Sequence, residues 1–203
     1  FYLADKYRNP VVVLSDAMTG QTMEPLEVRP LKLGPLPDKD WTVRATAFNK
    51  DGERHSVYLG GSWGPWVTHL EDLERKYQTV AETDVRYEDY LTEDANFILI
   101  AFGYMGRFCK EAINIVRSQG FKAGLIRPIT LWPFPRKVIN QQAIKGCKFL
   151  VVEDNMGLMV DDVRLAVEGK AEVHLLNVSA RHVPEDYGMI LPERVAEEIR
   201  KFI

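Results

Sequence analysis

From about Thr92 onward, short apolar runs and amphipathic stretches alternate with a regularity that few folds accommodate. The order is strand NFILIAF, helix RFCKEAINIVRSQ closed by Gly120, strand AGLIRP, helix around KVINQQAI, strand KFLVVED, helix LMVDDVRLAVEG and strand EVHLL. Strands that are apolar throughout, separated by helices and short loops, predict an α/β fold: a parallel sheet with helices on both faces and right-handed crossovers. Pro192 then suits the first turn of a closing helix, PERVAEEIRKFI, where its missing N–H needs no partner.

The texture upstream is different. The first residue is Phe1 rather than Met, and FYLADKYR reads as the last turns of an amphipathic helix, with Leu3, Ala4 and Tyr7 at helical spacing. This predicts a fragment of a longer chain. Asn9-Pro10 ends the helix. VVVLSD (Val11 to Asp16) reads as a strand buried on both faces, being a continuous β-branched run. The polar loop AMTGQTMEP leaves its carboxyl end, where open α/β sheets usually hold ligands, and so forms the first site candidate. Between Pro30 and Leu91 prolines punctuate a connector, in which Asn49 to Gly52 predicts a hairpin turn and THLEDLERKYQTV a helix bridging two domains.

Composition removes several function classes. With 46% apolar and 27% charged residues in 203, the chain is long and apolar enough for a core. A net charge of −3 provides no field for nucleic acid. No apolar run approaches the roughly 20 residues that span a bilayer. Two cysteines, Cys109 and Cys147, are too few for a disulfide framework or for an iron–sulfur cluster held by this chain alone, and they fit a cytoplasmic setting. The four histidines are not spaced as metal ligands, and no nucleophile elbow occurs.

Three segments carry candidate chemistry. AFGYMGR places two glycines between strand and helix, which reads as a tight turn more readily than as a phosphate cradle, since the third glycine and the lysine of such cradles are missing. LIRPITLWPFP is a stiff loop that presents Arg127, Thr130, Trp132 and Phe134 as a domain interface or a ligand wall. VVEDNMGLMVDDVRLAV puts Glu153, Asp154 and Asn155 before a helix, where carboxylates serve either acid–base work or helix capping.

The segments ADKYRNPVVVLSDAMTGQTMEP, RPITLWPFP and VVEDNMGLMVDDVRLAVEGK together resemble the alpha subunit of 2-oxoacid:ferredoxin oxidoreductases, first the 2-oxoisovalerate branch and then the 2-oxoglutarate branch. The resemblance implies that residues 1–30 end a thiamin diphosphate pyrimidine-binding domain, that 31–92 connect, and that 93–203 form a transketolase C-terminal-like domain. It implies Asp16, Thr19, Gln21 and Glu24 as cofactor-binding residues, with Arg127, Thr130, Trp132, Phe134, Glu153 and Asn155 at an interface or cleft. It further implies thiamin diphosphate with magnesium shared with a beta subunit, iron–sulfur clusters on other subunits, coenzyme A as co-substrate, and ferredoxin and a small 2-oxoacid as partners, with no nucleic acid or membrane. No catalytic or metal-ligating residue is assigned to this chain. Relatives carry a short glycine-rich turn where this sequence has NVSARHVPEDYGMILPERV. A lipoyl-linked 2-oxoacid dehydrogenase beta chain or transketolase-type enzyme, and a non-catalytic assembly module, are the rival readings.

Overall fold

The computed structural model describes residues 1–39, 63–178 and 189–202. They divide into two units, residues 1–14 with 23–79, and residues 15–22 with 80–203. The expected hairpin around Asn49 to Gly52, and residues 179–188 of the glycine-poor segment, lie outside the described residues.

In the first unit, α1 (Tyr2–Tyr7) is the expected helix tail. It ends where Arg8 turns left-handed at φ 46°, the Asn9 N–H donates to the Ala4 carbonyl at 3.1 Å, and Pro10 follows. Val11 to Leu14 then correct the sequence reading. They run extended without a strand partner among the described residues, and Val12 and Val13 are 77% and 88% exposed. A β-branched run biases the backbone toward extension, but burial requires a sheet to join. The expected bridging helix is longer at both ends, as α3 (Trp63–Thr83), with only its last residues in the second unit.

The second unit contains α2 (Ala17–Gln21) and the alternation foreseen from the sequence. Its elements are β1 (Tyr87–Tyr90), β2 (Phe97–Ile100), α4 (Met105–Ser118), β3 (Ala123–Pro128), α5 (Arg136–Ile144), β4 (Lys148–Glu153), α6 (Met159–Val167), β5 (Val173–Asn177) and α7 (Pro192–Arg200). The sheet order is β1-β3-β2-β4-β5, parallel except for β1, which pairs antiparallel with β3 at the edge. Gly120 closes the turn after α4 at φ 89°, and Pro192 sits at the start of α7.

Because successive strand residues face opposite sides, β2 feeds two cores at once. Leu99 joins Leu125, Leu150, Cys109, Ile113, Val195 and Ile199 under α4 and α7. Ile98 and Ile100 join Ile126, Phe149, Val151, Ile139 and Val163 under α5 and α6. Each of these buried aliphatic side chains contributes about 1.5–3 kcal/mol, so the doubly covered sheet is a rigid platform for the loops at its carboxyl end.

Candidate functional site

The chain passes from β2 through α4 to β3 on one side, then returns through α5 to β4 on the other side of β2. The carboxyl ends of β2 and β4 therefore flank the point where the winding reverses, the usual ligand crevice of an open α/β sheet. Two loops meet there, residues 101–104 after β2 and 154–158 after β4.

Asp16 seats the Ala17–Gln21 turn at this point. Its Oδ1 accepts the Thr19 N–H at 2.6 Å, capping α2, and its Oδ2 accepts the Thr19 hydroxyl at 2.9 Å and the Tyr104 N–H at 3.3 Å. The last of these N–H groups stands at the amino end of α4, where the helix dipole favours an anion. Gly103 makes the approach possible: it adopts φ 58°, and a β-carbon there would lie 2.8 Å from Asp16 Oδ2. Burial pushes the Asp16 carboxyl up, but the Thr19 and Tyr104 hydrogen bonds and the Arg107 charge outweigh it and hold it below the usual carboxylate range.

Tyr104 also joins the two loops, its hydroxyl donating to the Asp154 carboxylate. Burial, followed by that hydrogen bond and the charges of Asp154 and Asp16, pushes the phenol well above its ordinary range. Tyr104 was absent from the sequence-based site set: the glycines of AFGYMGR marked the turn it stands in, and nothing local marked its partners.

Glu153 and Asn155 organise the second loop. Glu153 is 0% exposed, and its carboxylate accepts the N–H groups of Leu158, Met159 and Val160 at 3.1, 2.9 and 2.9 Å. The Asn155 amide donates to the same carboxylate at 3.0 Å while its Oδ1 accepts the Gly157 N–H at 2.6 Å. A carboxylate at the end of β4 thus caps α6, the capping role that the sequence reading attached to Asp154 and Asn155.

At the end of β3 and beyond it, the four candidate residues separate, and Arg127 lies within the strand itself. Arg127 Nη1 pairs with Glu88 at 3.2 Å directly across the β1–β3 register, and Glu88 also binds Lys110. The Lys110 ammonium and, against some burial, the Arg127 guanidinium hold the Glu88 carboxyl below its ordinary range. Thr130 accepts the Arg86 N–H at 2.9 Å and donates to the Pro133 carbonyl at 2.8 Å, fixing the loop. Trp132 is 58% exposed, whereas Phe134 is 8% exposed and packs in the core with Ile126 and Ile139. Gln21 lies at the exposed end of α2, and Glu24 belongs to the first unit.

Cys109 and Cys147 are both buried in the apolar clusters, and burial raises both thiols above their ordinary range. Among the described residues no group of three or more His, Cys, Asp or Glu is placed to hold a metal ion, and no helix is long and apolar enough to cross a membrane.

The family described as pyruvate:ferredoxin oxidoreductase core domain II matches residues 95–188. The chain is 40% identical over 181 residues to the ketoisovalerate oxidoreductase subunit VorB of Methanothermobacter marburgensis, covering 87% of this chain and 49% of that protein. It is 32% identical over 200 residues to the 2-oxoglutarate synthase subunit KorA of the same organism, covering 87% and 53%. The chain thus spans about half the length of the curated relatives it matches. A 2-oxoglutarate:ferredoxin oxidoreductase from Magnetococcus marinus, solved with 2-oxoglutarate, coenzyme A and succinyl-CoA bound, shares the fold with a TM-score of 0.55 at 16% identity, over 76% of this chain and 25% of that one. Among these relatives identity is higher to the ketoisovalerate oxidoreductase subunit, and by its sequence the chain belongs to the family of 2-oxoacid:ferredoxin oxidoreductase subunits.

Proposed function

We propose that this chain is part of the alpha subunit of an enzyme that oxidatively decarboxylates a 2-oxoacid to an acyl-CoA and passes the electrons to ferredoxin. The 40% identity to a ketoisovalerate oxidoreductase subunit across 87% of the chain carries this reading. Residues 1–30 then end a pyrimidine-binding domain, 31–92 connect, and 93–203 form the transketolase C-terminal-like domain. The enzyme works in the cytoplasm, with a beta subunit and cluster-bearing subunits as partners.

The described residues do not fit the diphosphate end of thiamin diphosphate or its magnesium. The amino end of α4 is filled by Asp16, Asp154 adds negative charge beside it, and no metal-holding group is formed. A phosphate would be repelled there. This supports assigning diphosphate and magnesium to the beta subunit. What the Ala17–Gln21 turn does offer is neutral: the Gly20 α-carbon faces open space and the Gln21 amide is exposed. Such groups suit an uncharged ring or an amide.

The test is anoxic, coenzyme A-dependent viologen reduction by the full parent subunit with its partners, offered 2-oxoisovalerate, 2-oxoglutarate and pyruvate in turn. Turnover with 2-oxoisovalerate foremost is expected. No turnover with any of the three, in a complex shown to carry thiamin diphosphate and clusters, rejects the enzyme reading in favour of an assembly module.

A further inference from the structure

The segment Ser15–Thr22 is grouped with residues 80–203, although the residues on both sides of it, up to Leu14 and from Met23, belong to the other unit. Eight residues therefore depart from one unit and return. Within those eight, Asp16 binds the loop before α4 through the Tyr104 N–H at 3.3 Å, and Gly103 is shaped to receive it. Three donors converge on this carboxylate, and two of them also fold the turn that follows it. A carboxylate so engaged on its own chain has little left for a ligand.

We propose that Asp16 is a positioning residue, an internal anion seated on the amino end of α4 that presents the Ala17–Gln21 turn, already formed, at the β2/β4 switch point. The cofactor-binding role expected for Asp16 is then indirect: Asp16 sets where Thr19, Gly20 and Gln21 stand, and these face the ligand. Gly103 is the matching half of the seat. The depressed carboxyl of Asp16 agrees with an anion favoured at that place. The proposal rests on the oxidoreductase reading, because it takes thiamin diphosphate as the ligand whose binding the turn supports.

The experiment uses the full parent subunit assembled with its partners, as the natural protein and as Asp16→Ala, Asp16→Asn and Gly103→Ala. Amide hydrogen exchange is followed at Thr19 and Tyr104, and thiamin diphosphate binding to cofactor-stripped complex is measured by calorimetry. In the natural protein both amides are expected to be protected before any cofactor is added. Asp16→Ala is expected to speed exchange at both by about tenfold or more and to weaken cofactor binding about tenfold. Gly103→Ala, which removes the seat and leaves the carboxylate, is expected to reproduce both effects. Asp16→Asn keeps an acceptor for the Thr19 N–H and is expected to fall between.

Unchanged exchange in Asp16→Ala overturns the seat. Faster exchange with unchanged cofactor affinity reduces Asp16 to a helix cap and overturns the positioning role. A natural complex that binds no thiamin diphosphate removes the oxidoreductase reading and the proposal with it, while the exchange data still report whether the seat exists. A complex that binds the cofactor normally but is indifferent to all three variants defeats the proposal alone.

Discussion

The hydroxyl of Tyr104 and the carboxylate of Asp154 join the loop after β2 to the loop after β4, 50 positions apart in the chain, across the crevice of the sheet. One hydrogen bond thereby fixes the separation of two loops that the sheet alone leaves to their own turns. Tyr104→Phe is expected to lower the unfolding free energy by about 1–2 kcal/mol, read from urea denaturation. A spectrophotometric titration of the natural protein should show one tyrosine resisting ionisation after the exposed ones have lost their protons, and that laggard should vanish in Tyr104→Phe.

Glu153 predicts a larger penalty. Its removal strips α6 of its cap and leaves three backbone N–H groups enclosed without an acceptor. Glu153→Ala is expected to destabilise by about 3 kcal/mol and Glu153→Gln, which keeps one oxygen, by roughly half as much. Equal and small losses in both would show that solvent reaches those groups.

Two glycines to alanine should differ in cost. At Gly124 the new β-carbon would meet the Leu91 carbonyl oxygen at 2.6 Å and the Thr92 α-carbon at 2.9 Å, both backbone. Neither can give way, so Gly124→Ala should cost about 3 kcal/mol. At Gly106 the obstacle is the Arg127 side chain, Cδ at 2.6 Å and Nε at 2.9 Å, which can move at the expense of its Glu88 pair. Gly106→Ala also gains about 1 kcal/mol of helix propensity, so thermal midpoints should separate the two variants widely.

Glu88 sets part of the acid response. Its carboxyl is depressed below the ordinary 4.5 by Lys110 and then Arg127, so its stabilisation is present above about that pH and is lost as pH falls through the lower folded value. The group is about one-third exposed, and solvent screening keeps the contribution modest. Glu88→Gln should therefore flatten the decline in stability below pH 4.5 while changing little near neutrality. Unchanged slopes in the two proteins would assign the decline to other carboxylates.

Trp132 is exposed on a fixed loop, and Ile129, three positions earlier, is 60% exposed. Exposed indoles of this kind are frequent anchors of protein interfaces. Trp132→Ala is expected to weaken association with the proposed beta subunit about tenfold or more while shifting the chain's own stability by about 0.5 kcal/mol or less. Sedimentation of the mixed subunits checks it.

The sequence made the alternation legible because each element repeats a local signal. AGLIRP is β3 residue for residue, Gly120 stands where α4 stops, and Pro192 opens α7. The edge strand β1 escaped notice because YEDY is four residues long and only half buried, so its charged positions resemble a loop. Val11 to Leu14 misled for the converse reason, since β-branching reports what a backbone prefers and says nothing about what will cover it. At the site, acids before α6 pointed to a cap, but which acid folds back depends on where β4 ends. Asp16 was named through the family resemblance, yet its partner Tyr104 was not, since no local pattern links residues 88 apart.

That long separation has a consequence during synthesis. Asp16 leaves the ribosome well before its seat exists, and at about 5–20 residues per second the 88 intervening positions take roughly 4–18 s to appear. For that interval the turn has nowhere to settle. Slow translation between these positions should lengthen that interval, and the amides of the turn should become protected only after α4 has been made.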